Sequence, residues 1–275
     1  MRADLHMHST YSDGLYSPDE LCKLAVRRGV ELLSITDHDT MNGDEEKRAA
    51  AKKYNLKYVS GWENSAYENG SKIHITGYRC HRGEEYERFM SLRKTLALER
   101  AEDSLSKLKK LGISVRLEDV LSLLADKTAP VHTMHIARGV SEVTGLPAGE
   151  VYERYLAPNR PANSMIGRPT PLQAIECIHQ SGGIASVAHP GRITMGFSER
   201  EKALEKLVDE GVDGIECYYT THTDKETEYF VRFANERGLL ITGGSDTHVE
   251  DGTHTIGTPK FEPSDKLLDL LFVKD

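Results

Sequence analysis

Apolar and polar positions follow a recurrent unit along the chain: a capped helix, a glycine, a short apolar strand, then a polar cluster. Ser17-Pro18-Asp19-Glu20 has the form of a capping box with proline at the first helical position, and Leu21, Leu24 and Ala25 form the apolar stripe behind it. Gly29 supplies the stop, residues 30–35 read as a strand, and that strand runs into Asp37-His38-Asp39. The unit returns at Thr170-Pro171-Leu172-Gln173, followed by a Gly182-Gly183 stop and a strand over 184–188 that ends in His189. A third copy starts at Ser198, with Glu201 completing the box, and its strand over 214–217 leads to Thr220-Thr221-His222. A fourth helix over 223–237 stops at Gly238, and the strand 239–242 runs into Ser245-Asp246-Thr247-His248.

Helices alternating with strands predict a parallel sheet. Polar clusters after strand upon strand require the C-terminal strand ends to converge. An (α/β) barrel does this; an open doubly wound sheet spreads them along a line. The rhythm breaks between 82 and 168. There Leu98, Ala101, Leu105 and Leu108 mark one helical face that stops near Gly112, with further helices expected over 117–125, 133–143 and 149–156. Pro158, Pro161, Pro169 and Pro171 punctuate the return. The expected organisation is an α/β fold: a distorted barrel built from 1–81 and 169–275, with a helical insertion, 82–168, capping its C-terminal face.

Composition changes this picture little. The 275 residues suffice for one barrel-sized domain with an insertion, and 38% hydrophobic with 28% charged residues is ordinary for a globular protein. No run approaches ~18 consecutive apolar residues, so no membrane span is expected. The polar N-terminus lacks a signal-peptide hydrophobic region, which predicts a cytoplasmic location. Cys22, Cys80, Cys177 and Cys217 form no Cys-x-x-Cys pair and read as reduced, structural thiols. A net charge of −8 disfavours indiscriminate nucleic-acid binding. It leaves room for a nucleotide substrate, since bound metals make a site locally positive. No obligate protein partner is evident.

The polar clusters carry the chemistry. His6-x-His8 on a strand puts both imidazoles on one face, and Asp13-Gly14 follows in a turn. Three consecutive ionisable groups at Asp37-His38-Asp39, after a buried strand, are costly unless paired or metal-bound. Glu63 follows a strand over 56–61, and His74 sits in the alternating run 72–78. Singly, each has a bland reading: a surface histidine pair, an Asx turn, a satisfied core histidine. Jointly, six imidazoles (His6, His8, His38, His74, His189, His248) and three carboxylates (Asp13, Glu63, Asp246) are too many for one ion, since a catalytic zinc takes about three protein ligands. They predict two or three divalent ions, a centre that activates water and clamps phosphate oxygens. Arg192, three residues after His189, is placed to clamp a phosphoryl oxygen, with a surface ion pair as the alternative. His222 stands at the level of the other clusters, where it could orient phosphate or protonate a leaving oxygen; a loop histidine without a role is the alternative.

His6-x-His8, Asp13-Gly14, Thr36-Asp37-His38-Asp39, Glu63, Lys72-Ile73-His74-Ile75-x-Gly77-Tyr78, Ala188-His189-Pro190-Gly191-Arg192 and Ser245-Asp246-x-His248 together resemble the PHP (polymerase and histidinol phosphatase) family over essentially the whole chain. Within it the chain is most similar to stand-alone nucleotide phosphoesterases, such as the nucleoside bisphosphate phosphatases, whose relatives include 5′→3′ exoribonucleases. The resemblance implies a distorted seven-stranded barrel and a trinuclear centre: one ion held by His6, His8, Glu63 and Asp246, a second by Asp13, His38 and His248, a third by Glu63, His74 and His189. It further implies substrate contacts from His135 and Arg138 on an insertion helix and from Arg160. The chain departs from the pattern at Thr133, where many relatives carry Arg, and at Ala162-Asn163 in place of Gly-Tyr.

The implied activity is hydrolysis of a small organic phosphate, foremost a nucleoside 3′,5′-bisphosphate or AMP-like nucleotide, by in-line attack of a metal-bridging hydroxide, with His222, Arg192 and Asp246 as the catalytic set. A cyclic phosphodiester or short RNA is the neighbouring substrate reading. Manganese is the first choice of metal, with iron or zinc as alternatives. Two other classes remain open. An amidohydrolase also opens with His-x-His, but it typically bridges its metals with a lysine carbamate, and no lysine ends a suitable strand here. The other is a metal-binding module without catalysis.

Overall fold

The computed structural model describes residues 1–124 and 130–273, and these divide into two compact units, Met1–Tyr86 with Thr170–Asp275, and Glu87–Pro169. In the first unit, β1 (Ala3–Asp4), β2 (Leu32–Leu33) and β3 (Lys57–Tyr58) pair in parallel as one sheet. A second sheet runs in the order β4 (Gly61–Glu68), β5 (Ser71–Tyr78), β6 (Ile184–Val187), β7 (Gly214–Tyr219), β8 (Leu240–Gly244). Helices α1 (Pro18–Arg27) and α2 (Asp44–Lys53) accompany the first sheet in sequence.

The sequence pattern departs from the structure at β5. A parallel sheet was the expectation, but β4 pairs antiparallel with β5, and β5 antiparallel with β6. The cause is local. Asn69 and Gly70, the two-residue link between β4 and β5, both take positive φ (47° and 82°), the requirement of a tight hairpin turn that matches strand twist. Consequently Glu63 lies inside β4 rather than after a strand, opposite Thr76, while His74 pairs with Ser65. Side chains of directly opposed residues share a face, so Glu63 and His74 point the same way, one pair apart.

The two sheets are not one continuous closed barrel, but backbone hydrogen bonds join their strand extensions. Leu5 N donates to Gly243 O (3.1 Å), Asp246 N to His6 O (2.7 Å) and His8 N to Thr247 O (2.9 Å), so the chain beyond β1 lies beside the chain beyond β8. Thr36 N donates to Met7 O (2.8 Å); on the other side Glu63 N donates to Asp37 O (3.1 Å) and Asp39 N to Glu63 O (2.8 Å), flanking His38. Every segment that carries a polar cluster is thus tied to its neighbours.

Helix boundaries follow the capping chemistry. Ser17 and Thr170 close capping boxes with Glu20 and Gln173 at the starts of α1 and α7 (Pro171–Gln180). α9 (Asp224–Arg237) begins behind a third box, Thr223 with Glu226, and ends at Gly238 in the left-handed region. α8 (Phe197–Asp209) starts two residues before the expected Ser198 box, because Glu199, not Glu201, reaches back to the N-cap at Gly196. α10 (Asp265–Leu271) closes the unit. Core residues Leu5, Leu32, Val59, Leu240 and Leu267 pack together in one hydrophobic cluster.

The second unit is helical among its described residues: most of α3 (Glu84–Lys110), α4 (Leu117–Ser122), α5 (Thr133–Thr144), α6 (Ala148–Val151) and a π-helical turn, Tyr152–Leu156. The end expected for the second of these helices, at residue 125, lies outside the described residues. Leu108, Val120, Ile136, Val140 and Leu156 form a core of its own. No helix among the described residues is long and apolar enough to cross a membrane.

The Asp37-His38-Asp39 run is resolved piece by piece. Asp37 is fully buried against Lys47 Nζ at 2.5 Å and accepts from Ser9 N (2.7 Å), Ser9 Oγ (2.8 Å) and Ser12 Oγ (2.8 Å). Burial would raise its carboxyl, but Lys47 and the Ser9 bonds hold it below the usual range. Asp39 Oδ1 accepts the backbone N–H of Ser65 at 2.7 Å. Asp37→Ala would strand a buried lysine and free the 9–12 loop, so it should cost about 3–5 kcal/mol in a denaturant titration; a loss below about 1 kcal/mol would contradict this structural role.

Candidate metal centre

All nine side chains singled out for metal binding come together in the first unit around Glu63. His38 Nδ1 lies 2.7 Å from its Oε2, and His74 Nδ1 and His189 Nε2 lie 2.7 and 2.9 Å from its Oε1. His6 Nε2 and His8 Nε2 approach at 3.3 and 3.5 Å, and they also face Asp246 Oδ1, at 3.6 and 3.1 Å. On the outer side Asp13 lies 3.3 Å from His248 Nε2 and 3.8 Å from His38 Nε2. Among the described residues, three groups have ligand atoms within 4.8 Å of one another: His6, His8, Glu63 and Asp246; His8, Asp13, His38 and His248; His38, Glu63 and His74. The first coincides with the set implied by resemblance. Across the boundaries that resemblance drew, the second group shares His8 with the first and His38 with the third, and His189 meets the third through Glu63.

The electrostatics favour cations. Burial would push the Glu63 carboxyl up, but His74, His6 and His38 outweigh it and hold it well below the usual carboxylate range. Asp246 is held low against burial by His6 and His8, and Asp13 by His248 and His38. His8 and His74 are pushed down to about 4, chiefly by burial. His6 Nε2, both His8 nitrogens, His38 Nδ1, Glu63 Oε2 and Asp246 Oδ1 are buried and make no hydrogen bond of normal geometry. Donor atoms that crowd one another without hydrogen bonding are oriented toward common points. Together with an all-nitrogen-and-oxygen donor set, that fits divalent ions.

Local backbone strain marks the same place. Asp39, His189 and Asp246 take positive φ (55°, 27° and 52°), a region that costs a non-glycine residue on the order of 1–3 kcal/mol. Each follows a strand and turns its side chain where a continued strand would not.

Arg192 sits beside the cluster. Its Nη1 donates to Tyr219 Oη (2.8 Å), and Tyr219 Oη donates to Asp246 Oδ2 (2.9 Å). The Arg192 side chain is 54% exposed, so its guanidinium edge meets solvent next to the clustered side chains. His222 corrects an expectation. Its Nε2 accepts the Gly191 N–H (3.1 Å) and its Nδ1 donates to Cys217 O (3.1 Å), so the backbone occupies both nitrogens of a neutral ring. Burial also lowers its pKa. No N–H remains for the proton donation expected from the sequence. His135 and Arg138 on α5, and Arg160 after the π-helical turn, belong to the second unit; His135 Nδ1 accepts the His132 N–H at 3.0 Å.

Two residues escaped the sequence reading. Glu216 and Tyr219 are buried on β7 and touch His6, His189, Arg192 and Asp246. The signal was there: a glutamate inside the apolar strand 214–217 is costly without a partner.

Comparison with known proteins agrees with this geometry. The PHP domain pattern matches residues 4–137. A 5′-3′ exoribonuclease of Haemophilus influenzae is 32% identical over 92% of this chain and 92% of its own length. A 3′,5′-nucleoside bisphosphate phosphatase of Chromobacterium violaceum is 30% identical over 92% and 90%. A phosphoribosyl 1,2-cyclic phosphate 1,2-diphosphodiesterase of Eggerthella lenta is 31% identical over 92% and 96%. Among solved structures, one described as an amidohydrolase from C. violaceum with bound sulfate superposes with a TM-score of 0.71 at 26% identity, covering 96% of this chain and 93% of that one. A candidate metal-dependent phosphoesterase of Bifidobacterium adolescentis gives 0.72 at 22% identity, covering 98% and 95%, a likeness of fold. The chain belongs to the PHP-domain family, among its phosphoester-hydrolysing members.

Manganese at about one hundred times its dissociation constant should add about 2.7 kcal/mol to folding stability. Chelator should remove the gain, and Glu63→Ala should abolish it. An unchanged manganese-dependent melting shift in Glu63→Ala would contradict the central place given to Glu63.

Proposed function

We propose that this chain is a metal-dependent phosphoesterase acting on a small ribose phosphate, foremost a nucleotide such as a nucleoside 3′,5′-bisphosphate or AMP. The observation that carries the reading is the buried cluster of unpartnered donor atoms around Glu63 with Arg192 at its edge. We read the bonded strand extensions as a distorted barrel gathering its ligands at one end. The relatives support the substrate class, because all three names describe cleavage of a phosphoester carried on or between ribose units.

His6, His8, Glu63 and Asp246 would hold one ion, Asp13, His38 and His248 a second, and His74 and His189 with Glu63 a third, with manganese the first metal to try. Ions bound there supply Lewis-acid stabilisation of phosphoryl charge and a water nucleophile active near neutral pH. The chain's own contribution is placement. Glu63 and Asp246, held ionised, offset the positive charge of the centre and fix its position. Arg192 uses one nitrogen on Tyr219, which sets the plane of the guanidinium. Its remaining edge can pair with the non-bridging phosphoryl oxygens, where charge grows as water attacks in line. His222 keeps the turn that presents Arg192 in shape.

The test is phosphate release by manganese-loaded protein from adenosine 3′,5′-bisphosphate, AMP, a cyclic phosphodiester and a short 5′-phosphorylated RNA. Release from at least one is the expected result, and turnover of an amide or lactone with none from this panel would contradict the reading. His189→Ala should abolish turnover. Arg192→Ala should lower kcat/KM by about 10²–10³-fold; a wild-type value would remove Arg192 from the phosphoryl clamp.

A further inference from the structure

β7 supplies none of the nine clustered side chains, yet it grips two segments that do. Glu216, at its centre, is fully buried. Its carboxylate oxygens lie 3.1 and 3.2 Å from His6 Nδ1, and Oε2 also accepts the backbone N–H of His189 at 2.6 Å. A carboxylate only accepts, so a neutral His6 ring carries its hydrogen on Nδ1 and keeps its lone pair on Nε2. Nε2 is the atom that faces Glu63 and Asp246 and makes no hydrogen bond of its own. At His189 the same carboxylate secures a strained backbone, φ 27° and ψ 61°.

The rest of the His189 turn is held from the same strand end. His222 accepts from Gly191 N–H and lies so close that a Cβ on residue 191 would meet its ring at 2.7 and 2.8 Å and displace it. Tyr219 holds Arg192.

We propose that Glu216 is a positioning residue for the metal centre. It fixes the ring tautomer of His6 and the backbone of His189, so one carboxylate aims two ligands that arrive on different strands. The inference rests on the metal-ligand reading of His6 and His189. Partners of this kind, behind a ligating histidine, change metal affinity by about 10–100-fold when removed.

The experiment compares manganese binding by calorimetry in wild-type protein and Glu216→Gln, alongside thermal unfolding of both in chelator. The substitution removes the carboxylate's charge and replaces one of its two acceptor oxygens by an NH2 group, so the hydrogens of His6 Nδ1 and His189 N must share one neutral oxygen. The expected result is a 10–100-fold loss of affinity for the ions served by His6 and His189, with the ion served by Asp13, His38 and His248 bound as in wild type. Wild-type affinity at every ion, or an equal loss at all of them together with a lowered melting temperature in chelator, would overturn the proposal. Should the variant fail to fold, nitrogen NMR of histidine-labelled, zinc-loaded wild-type protein decides. A proton on His6 Nδ1 with metal on Nε2 supports the proposal, and the opposite tautomer overturns it. Wild-type protein that takes up no manganese or zinc would overturn the metal reading itself, a result separable from a failure confined to Glu216.

Discussion

A carboxylate buried without solvent among imidazoles is the constraint around which the first unit is arranged. Glu63 touches His6, His8, His38, His74 and His189, which arrive from four separate stretches of chain. An isolated buried carboxylate would take up a proton. Here the surrounding rings keep it ionised; despite burial, Glu216 and then Glu63 hold His6 above its ordinary range, and Glu63 holds His38 above its own. The group works as a unit, and the strands that bring its members together must end where they do.

Meeting that constraint accounts for otherwise unfavourable features. Left-handed backbone at His189 and Asp246 places side chains where extended strands would miss the centre, and at Asp39 it accompanies the bond to Ser65 N–H. The buried Lys47–Asp37 pair holds the 9–12 loop, which brings Asp13 next to His38 and His248. Glu216 and Tyr219 on β7 brace the far side. Specific polar bonds, more than apolar packing, set the position of each site residue, whereas the cores of the two units are ordinary hydrophobic clusters.

Much of this was legible in the sequence, because the unit of capped helix, glycine, strand and polar cluster has local chemical causes. Capping boxes at Ser17, Thr170 and Thr223 act through residues three apart, and metal-type side chains at strand ends can be counted. The hairpin at Asn69-Gly70 is equally local, and it reverses β5 against the parallel sheet that the helix–strand alternation predicts. The Ser198 box failed because two glutamates, Glu199 and Glu201, compete for one helix start and only spatial reach decides. Glu216, Tyr219 and the engaged ring of His222 were hidden for a different reason. Their roles depend on partners 27 to 210 positions away or on the closeness of one turn, and spacing along the chain carries none of that information.

Anomalous diffraction from manganese-loaded crystals tests the central claim most directly. The account predicts two or three peaks within coordination distance, about 2.0–2.6 Å, of the clustered donors, with Glu63 oxygens contacting more than one. Ordered protein with manganese bound elsewhere, or with no peak beside Glu63, would contradict it.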